Sequence, residues 1–309
     1  MRAIRSSLLL LIPSTLACAS NQRMAYLGDF RLESGDVIKD CRIGYRSLGQ
    51  LDASRSNAVL VTTWFQGTSG QLVRQIGPGK LIDTSRFFVV IADALGNGVS
   101  SSPSNSTLQP GRDFPGITIG DMVESQYQLV TRILHLTHLK AVLGISMGGM
   151  QVFQWMTDHP DFMDSGISIV GSPRSQPDDQ IRLQALIRTV EAHPPWKRAV
   201  MALRRWAPRT ALNELGVDAN DHVRQAQAVM ALDISAPFGG SMARAAAAIR
   251  AKMLVVGTWQ DREVNPGPAF ELARMAHAEV FELDGRCGHQ APSCEQATLW
   301  RAVSRFLAP

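Results

Sequence analysis

Short unbroken apolar runs recur along the chain. Each is followed by a Gly-containing loop and then by a stretch with apolar residues at every third or fourth position. Residues 58–63 and 87–92 are such runs, and 140–145, 165–170, 252–257 and 279–283 continue the series. Continuous rather than alternating apolarity is what a strand covered on both faces requires. Between them, 117–136 predicts a helix, because Ile119, Met122, Val123, Tyr127, Val130, Ile133 and Leu134 fall on one stripe. Segments 147–158, stopped before Pro160, 268–276 and 296–306 predict three more helices. Ahead of this alternation, 24–32 and 37–48 read as an antiparallel pair turned at Ser34-Gly35-Asp36.

The alternation fails between Pro173 and Arg250, where Arg, Ala, Leu and Gln dominate and several short helices are expected. A gap of roughly 75 residues without a strand is too long for a continuing sheet and reads as an insertion. The pattern therefore predicts an α/β chain: a mostly parallel, doubly wound sheet built from 24–172 and 251–309, with a helical cap over 173–250. The alternative is that the insert simply continues the main domain.

Composition narrows the function classes. With 309 residues, 45% hydrophobic and 19% charged, the chain is ordinary for a soluble globular protein. Lys and Arg number 31 against 27 Asp and Glu, and no basic block interleaves with aromatics, so nucleic acid is not an expected partner. Residues 1–19 resemble an export signal, with Arg2 and Arg5, an apolar run from Leu8 to Ile12, and the small residues Ala17-Cys18-Ala19. Thr15-Leu16-Ala17-Cys18 also resembles a degenerate lipoprotein box, which would lipidate Cys18. The apolar run is too short to span a bilayer. An exported protein is expected, periplasmic, secreted or lipid-anchored, and a cytoplasmic one if the N-terminus is only a tail. In an oxidising compartment Cys287 and Cys294 can pair and leave Cys41 free; otherwise all three are reduced thiols. No CxxC or HxxxH spacing suggests a metal.

The strongest chemical signal is Gly144-Ile145-Ser146-Met147-Gly148, a G-x-S-x-G turn between an apolar strand and a helix. The flanking glycines let the backbones pass, and the turn raises the Ser146 hydroxyl above the sheet. The Met147 N–H then stands at a helix N-terminus, where free donors favour an anion. A serine needs a base, and His289, in the loop after the last strand, is the best placed of the seven histidines. Asp261, after the 252–257 strand, is the candidate to orient it; Asp284 is a rival and Glu263 a weaker one. The loop Trp64-Phe65-Gln66-Gly67-Thr68 is expected to supply a second oxyanion donor, the Phe65 N–H, beside Met147.

These residues resemble the homoserine O-acetyltransferase family of the α/β-hydrolase superfamily. The resemblance rests on Gly144-Ile-Ser-Met-Gly-Gly-Met-Gln151, Tyr45-Arg-Ser-Leu-Gly49, residues 57–67, Leu95-Gly-Asn-Gly98, the Phe114–Val123 motif, Asp261-Arg-Glu-Val-Asn-Pro266 and Gly288-His289. The segment Arg182 to Trp196, ending in His193-Pro-Pro-Trp196, echoes the family's cap entry. The resemblance implies the α/β-hydrolase fold. It assigns Ser146, His289 and Asp261 as triad and Phe65 and Met147 as oxyanion donors, in a ping-pong acyl transfer without cofactor or metal. Three departures point away from homoserine. Gln290 stands where the family has an aspartate that engages the substrate amine, and such a charge-assisted bond is usually worth about 1.5–3 kcal/mol. The cap is short, with no arginine assignable to the substrate carboxylate. Export would also separate the enzyme from acetyl-CoA.

The expectation is a serine hydrolase cleaving small-molecule carboxylic esters through an acyl-enzyme. The alternative is an O-acyltransferase moving an acyl group from acyl-CoA to a small alcohol, and a non-catalytic hydrolase-like binding protein is the third reading. A dimer is compatible with the sequence, which does not fix the oligomeric state.

Overall fold

The computed structural model describes residues 21–191 and 218–308. The segment read as an export signal, and His193-Pro-Pro-Trp196 in the insert, lie outside the described residues.

Eight strands form one sheet in the order β1-β2-β4-β3-β5-β6-β7-β8. The antiparallel pair β1 (Arg23–Arg31) and β2 (Val37–Leu48) stands at one edge, and β2 pairs antiparallel with β4 (Phe88–Ala92). All the other pairings are parallel, through β3 (Ala58–Thr62), β5 (Leu139–Ile145), β6 (Met163–Ile169), β7 (Lys252–Gly257) and β8 (Glu279–Glu282). Every residue of β3 is buried, as its apolar run requires. Along β3 and β5 alternate side chains enter opposite cores. Leu60 and Val142 join one cluster, whereas Val59, Val61, Ala141 and Leu143 join the other. The last strand departs from the expectation of a doubly covered run. β8 is an edge strand bounded by Glu279 and Glu282, with Val280 exposed.

Helices cover both faces. On the first lie α2 (Ile119–Gln128), α3 (Met147–Asp158) and α7 (Gly267–Met275); on the second lie α1 (Ser69–Leu72) and α9 (Gln296–Phe306). A capping box starts α2: Thr118 accepts from the Asp121 N–H, and Asp121 accepts from the Thr118 N–H. The expected single helix over 117–136 is not regular throughout. After Gln128 it widens into a π-helical turn, Leu129–Ile133, closed by Leu134 N–H to the Leu129 carbonyl. The extra residue in that turn rotates the stripe, so Ile133 faces solvent while Val130 stays buried.

The insert contributes α4 (Pro177–Glu191), α5 (Ala219–Ala231) and α6 (Met242–Ala248). Leu186, Ile187 and Val190 of α4 meet Val223 and Ala226 of α5 in a small separate cluster, against which Phe65 also packs. Further along, Ala228, Val229, Met242 and Ala245 join the main core. The insert is thus rooted in the sheet domain at one end and has its own apolar contact at the other. A short helix, α8 (Ala291–Cys294), follows the loop after β8. Among the described residues no helix is long and apolar enough to cross a membrane.

Candidate active site

Register places the site. β3 and β5 pair with Thr62 opposite Gly144, so the loop leaving β3 emerges beside the turn leaving β5. In that turn Ser146 adopts φ 58°, ψ −121°, a conformation L-residues rarely hold. The glycines make it possible. A Cβ on Gly144 would sit 2.2 Å from the Gly148 carbonyl carbon, and one on Gly148 would sit 2.6 Å from the Thr62 carbonyl oxygen. The Thr62 hydroxyl donates to the Gly148 carbonyl at 2.9 Å, and the Ser146 N–H donates to the Ile169 carbonyl at 2.8 Å. The strained turn is thereby tied to both neighbouring strands.

His289 arrives from the loop after β8. The disulfide Cys287–Cys294 closes a short ring around it, and Gly288, at φ 54°, lets the chain pass Gln260, whose carbonyl oxygen would lie 2.9 Å from an added Cβ. The Nε2 of His289 lies 2.8 Å from Ser146 Oγ, and its Nδ1 lies 2.7 Å from Asp261 Oδ2. Asp261 is held from its other oxygen, where Oδ1 accepts the Glu263 and Val264 N–H groups at 2.8 and 2.9 Å. The Asp261 and His289 side chains are 1% and 11% exposed, so this contact is shielded from competing water.

Both ring nitrogens of His289 are therefore engaged, and neither rival acid has a place on them. Asp284 has no bond to the imidazole, and Glu263 meets Asp261 through its backbone N–H and not through its carboxylate. None of the other described histidines bonds Ser146: His138 pairs with Asp164, His159 stacks on Tyr127, His222 is buried on α5, and His135 and His277 take positive φ just beyond helix ends. A hydroxyl, an imidazole and a buried carboxylate joined in this order can pass the hydroxyl proton to the imidazole while the carboxylate fixes the tautomer.

The backbone donors sort themselves. In the loop after β3 the Gln66 N–H goes to Gln225 Oε1, the Gly67 N–H to the Trp64 carbonyl and the Thr68 N–H to Gln71 Oε1. The Phe65 N–H has no acceptor among the described residues. Neither does the Met147 N–H, on the first residue of α3, where an unpaired donor is inherent to a helix start. Gln151 braces the two segments that bear these donors, since its Nε2 donates to the Thr63 carbonyl at 3.0 Å and to the Met147 carbonyl at 3.1 Å. Its Oε1 accepts from Gln126, whose own Oε1 accepts from the Trp155 indole, which completes a buried chain.

Sequence reasoning missed the braces. Gln151 stood inside the quoted elbow motif, one helical turn after Met147, which was the available signal. Gln225 belongs to the insert and had none, whereas Arg182 stood at the head of the stretch that resembles the family's cap entry, which assigned it no role. Arg182 bonds Asp179 and the carbonyls of Arg262 and Glu263, so it grips the loop that carries Asp261. Among the described residues no group of three or more His, Cys, Asp or Glu side chains is arranged to hold a metal.

Residues 65–222, just over half of the chain, match the model of the alpha/beta hydrolase fold family. This chain belongs to that family. An ethyl acetate hydrolase of Pseudomonas veronii is 30% identical over 309 aligned residues, covering 85% of this chain and 88% of its own. A probable esterase of Corynebacterium glutamicum is 37% identical over 174 residues, 55% of this chain and 50% of its own length. A homoserine O-acetyltransferase of Geotalea daltonii is 34% identical over 204 residues, 60% of this chain and 55% of its own length. In the last two cases the chain spans only about half of the relative. Among solved structures, an acetylester hydrolase from Corynebacterium glutamicum superposes with a TM-score of 0.85 at 25% identity, over 93% of this chain and 96% of its own. The likeness to homoserine O-acetyltransferases read from the motifs thus holds, and the relatives on both sides are enzymes of this fold.

Proposed function

We propose that this α/β-hydrolase-fold enzyme is a serine ester hydrolase that works through an acyl-enzyme on Ser146. The observation that carries the reading is the hydrogen-bonded line Ser146–His289–Asp261, at 2.8 and 2.7 Å. Ser146 Oγ attacks the ester carbonyl as His289 Nε2 takes its proton, and Asp261 stabilises the resulting imidazolium. The carbonyl oxygen, now an anion, is received by the Phe65 and Met147 N–H groups, and removing one such donor typically lowers the rate by about 100- to 1000-fold. Collapse breaks the ester C–O bond as His289 returns the proton to the leaving alcohol. Water then attacks the acyl-serine with His289 again as base, which frees the acid and restores Ser146.

Water rather than homoserine is favoured as acceptor by two residues. Gln290 offers no carboxylate to a substrate ammonium. Arg182, an insert arginine close to the Asp261 loop, is engaged with protein acceptors and is not free for a substrate carboxylate. The ethyl acetate and acetylester hydrolases among the relatives agree with a short acyl ester as substrate. The test is turnover of nitrophenyl acetate by wild type and Ser146→Ala, with and without homoserine. The expectation is a loss of more than about 10⁴-fold in the variant, and acetate as product even when homoserine is present. Turnover surviving in the variant rejects the acyl-enzyme. O-acetylhomoserine as the main product replaces hydrolysis with transfer.

A further inference from the structure

Asp261 is seated by two peptide groups of its own loop. Its Oδ1 accepts the Glu263 N–H at 2.8 Å and the Val264 N–H at 2.9 Å, while the Asp261 N–H closes a turn on the Thr258 carbonyl at 3.1 Å. The Glu263 N–H shares one planar peptide unit with the Arg262 carbonyl, and the Val264 N–H shares the next unit with the Glu263 carbonyl. In a trans peptide the N–H and the C=O point in opposite directions and cannot turn independently. Whatever fixes these two carbonyls therefore fixes the two donors on Asp261.

Arg182 of α4 meets both carbonyls. Its Nη1 donates to that of Arg262 and its Nη2 to that of Glu263, and Nη2 also donates to Asp179, one turn earlier on the same helix. The planar guanidinium presents its N–H groups in a rigid fork, so two consecutive carbonyls are held at one relative setting. A donor on a peptide carbonyl also polarises the unit and strengthens the hydrogen bond that its N–H makes. Burial raises the Asp179 carboxyl, and the charge of Asp261 adds to that rise while Arg182 opposes it. Two carboxylates and one guanidinium thus share this corner of the site.

We infer that Arg182 is a positioning residue for the triad acid. Through the Arg262–Glu263 and Glu263–Val264 peptides it sets the direction of both donors on Asp261, and so the seating of the carboxylate that orients His289. The inference rests on the acyl-enzyme reading and makes α4 of the insert part of the catalytic alignment. Arg182 acts through the loop alone, because both of its terminal nitrogens are bonded to protein acceptors.

Acylation and deacylation both use His289 as base, so misalignment slows both steps and falls on kcat. For nitrophenyl acetate, Arg182→Ala is expected to lower kcat at least about tenfold with KM held within about threefold. The proton shared by His289 Nδ1 and Asp261 reports the seating directly. Its far-downfield NMR resonance, identified by its absence in His289→Ala, should shift or vanish in Arg182→Ala while the remaining spectrum stays that of a folded protein. A merely structural role leaves that resonance in place. Removing Arg182 also leaves Asp179 uncompensated, so the variant is combined with Asp179→Ala. The loss should persist in the double variant, since neither change returns a donor to the carbonyls. Recovery of kcat there would make Arg182 a charge balance only and overturns the assignment, as does full kcat or an unmoved resonance in Arg182→Ala. If Arg182→Ala does not fold, Arg182→Lys serves, because it keeps the charge without the fork. Its kcat should fall at least about threefold, and full kcat overturns the assignment. Ser146→Ala measured in parallel separates the two levels. If it is inactive while Arg182→Ala is fully active, only the role of Arg182 fails; if it turns over, the acyl-enzyme reading fails and the role of Arg182 with it.

Discussion

A serine at φ 58° carries backbone strain of about 1–3 kcal/mol, and the fold must supply more than that in compensating contacts. Here the compensation depends on what is missing at Gly144 and Gly148, because the chain on either side of Ser146 runs through space that a single methyl would fill. The nearest atoms to a Cβ on Gly144 are the Gly148 carbonyl carbon and oxygen, both at 2.2 Å, and these are backbone atoms that cannot rotate aside. Gly144→Ala is therefore expected to lower the unfolding free energy by about 3 kcal/mol or more and to abolish ester hydrolysis. Gly116→Ala, where nothing lies within 4 Å of the added carbon, should change stability by less than about 0.5 kcal/mol. Urea unfolding of the two variants checks the contrast, and equal stabilities would refute the steric account of the elbow. The same three residues explain why this part of the site was legible. G-x-S-x-G is a local steric requirement, written wholly within five consecutive residues.

At the scale of elements, legibility follows how local each cause is. Strands β2 and β7 and helices α3 and α9 begin and end where their apolar patterns do. The turn at Leu129–Ile133 did not show in the sequence, because a π-turn and an α-turn share nearly the same spacing over five residues. His289 was found from its position after a strand, but Gln225, which bonds the loop after β3 at Gln66, reaches it from an insert whose packing no period encodes. The loop carrying His289 lies between these cases: Cys287 and Cys294 were a possible pair by spacing and are bonded in the structure. A cross-link closing eight residues restricts the unfolded chain by about 2.5 kcal/mol, and here it also encloses His289, with the Gln290 N–H turned back on the Cys287 carbonyl. Such a bond suits the oxidising compartment that export would provide. Reduction is expected to lower both Tm and kcat/KM, and a Cys287→Ser/Cys294→Ser variant should start low and ignore reductant. The remaining described thiol, Cys41, is buried with its pKa pushed up to about 12, so it does not confuse the titration. Full wild-type activity at complete reduction, verified by thiol counting, would show that the loop holds His289 without the bond.

For the molecule as a whole, acid response depends on neighbours that titrate in opposite senses. On α5, burial pushes the His222 imidazole down to about 4, and burial raises the Asp221 carboxyl to about 6 despite its bonds from the Ser104 hydroxyl and N–H. For His222 the unfolded chain takes up its proton near 6.5 and the native state only near 4. Its contribution is thus present above 6.5 and is lost, by about 3 kcal/mol, as pH falls to 4. Asp221 runs the other way. The native state takes the proton near 6 and the unfolded chain near 3.8, so about 3 kcal/mol is gained over nearly the same interval as pH falls. His159, also lowered to about 4 by burial, reinforces the first trend; Asp158, raised to about 6 by burial, and Asp93, Asp121 and Asp179, also raised by burial, reinforce the second. Between pH 6.5 and 4 the contributions of His222 and Asp221 therefore oppose each other. Removing one partner exposes the other: relative to wild type, His222→Gln should gain stability on acidification across this range, and Asp221→Asn should lose it. Denaturant unfolding at half-unit pH steps measures both slopes. Slope differences from wild type of the same sign in the two variants would mean that α5 does not bury the two side chains as described, and the edge-on contact of His222 with the Phe65 ring would fall with that burial.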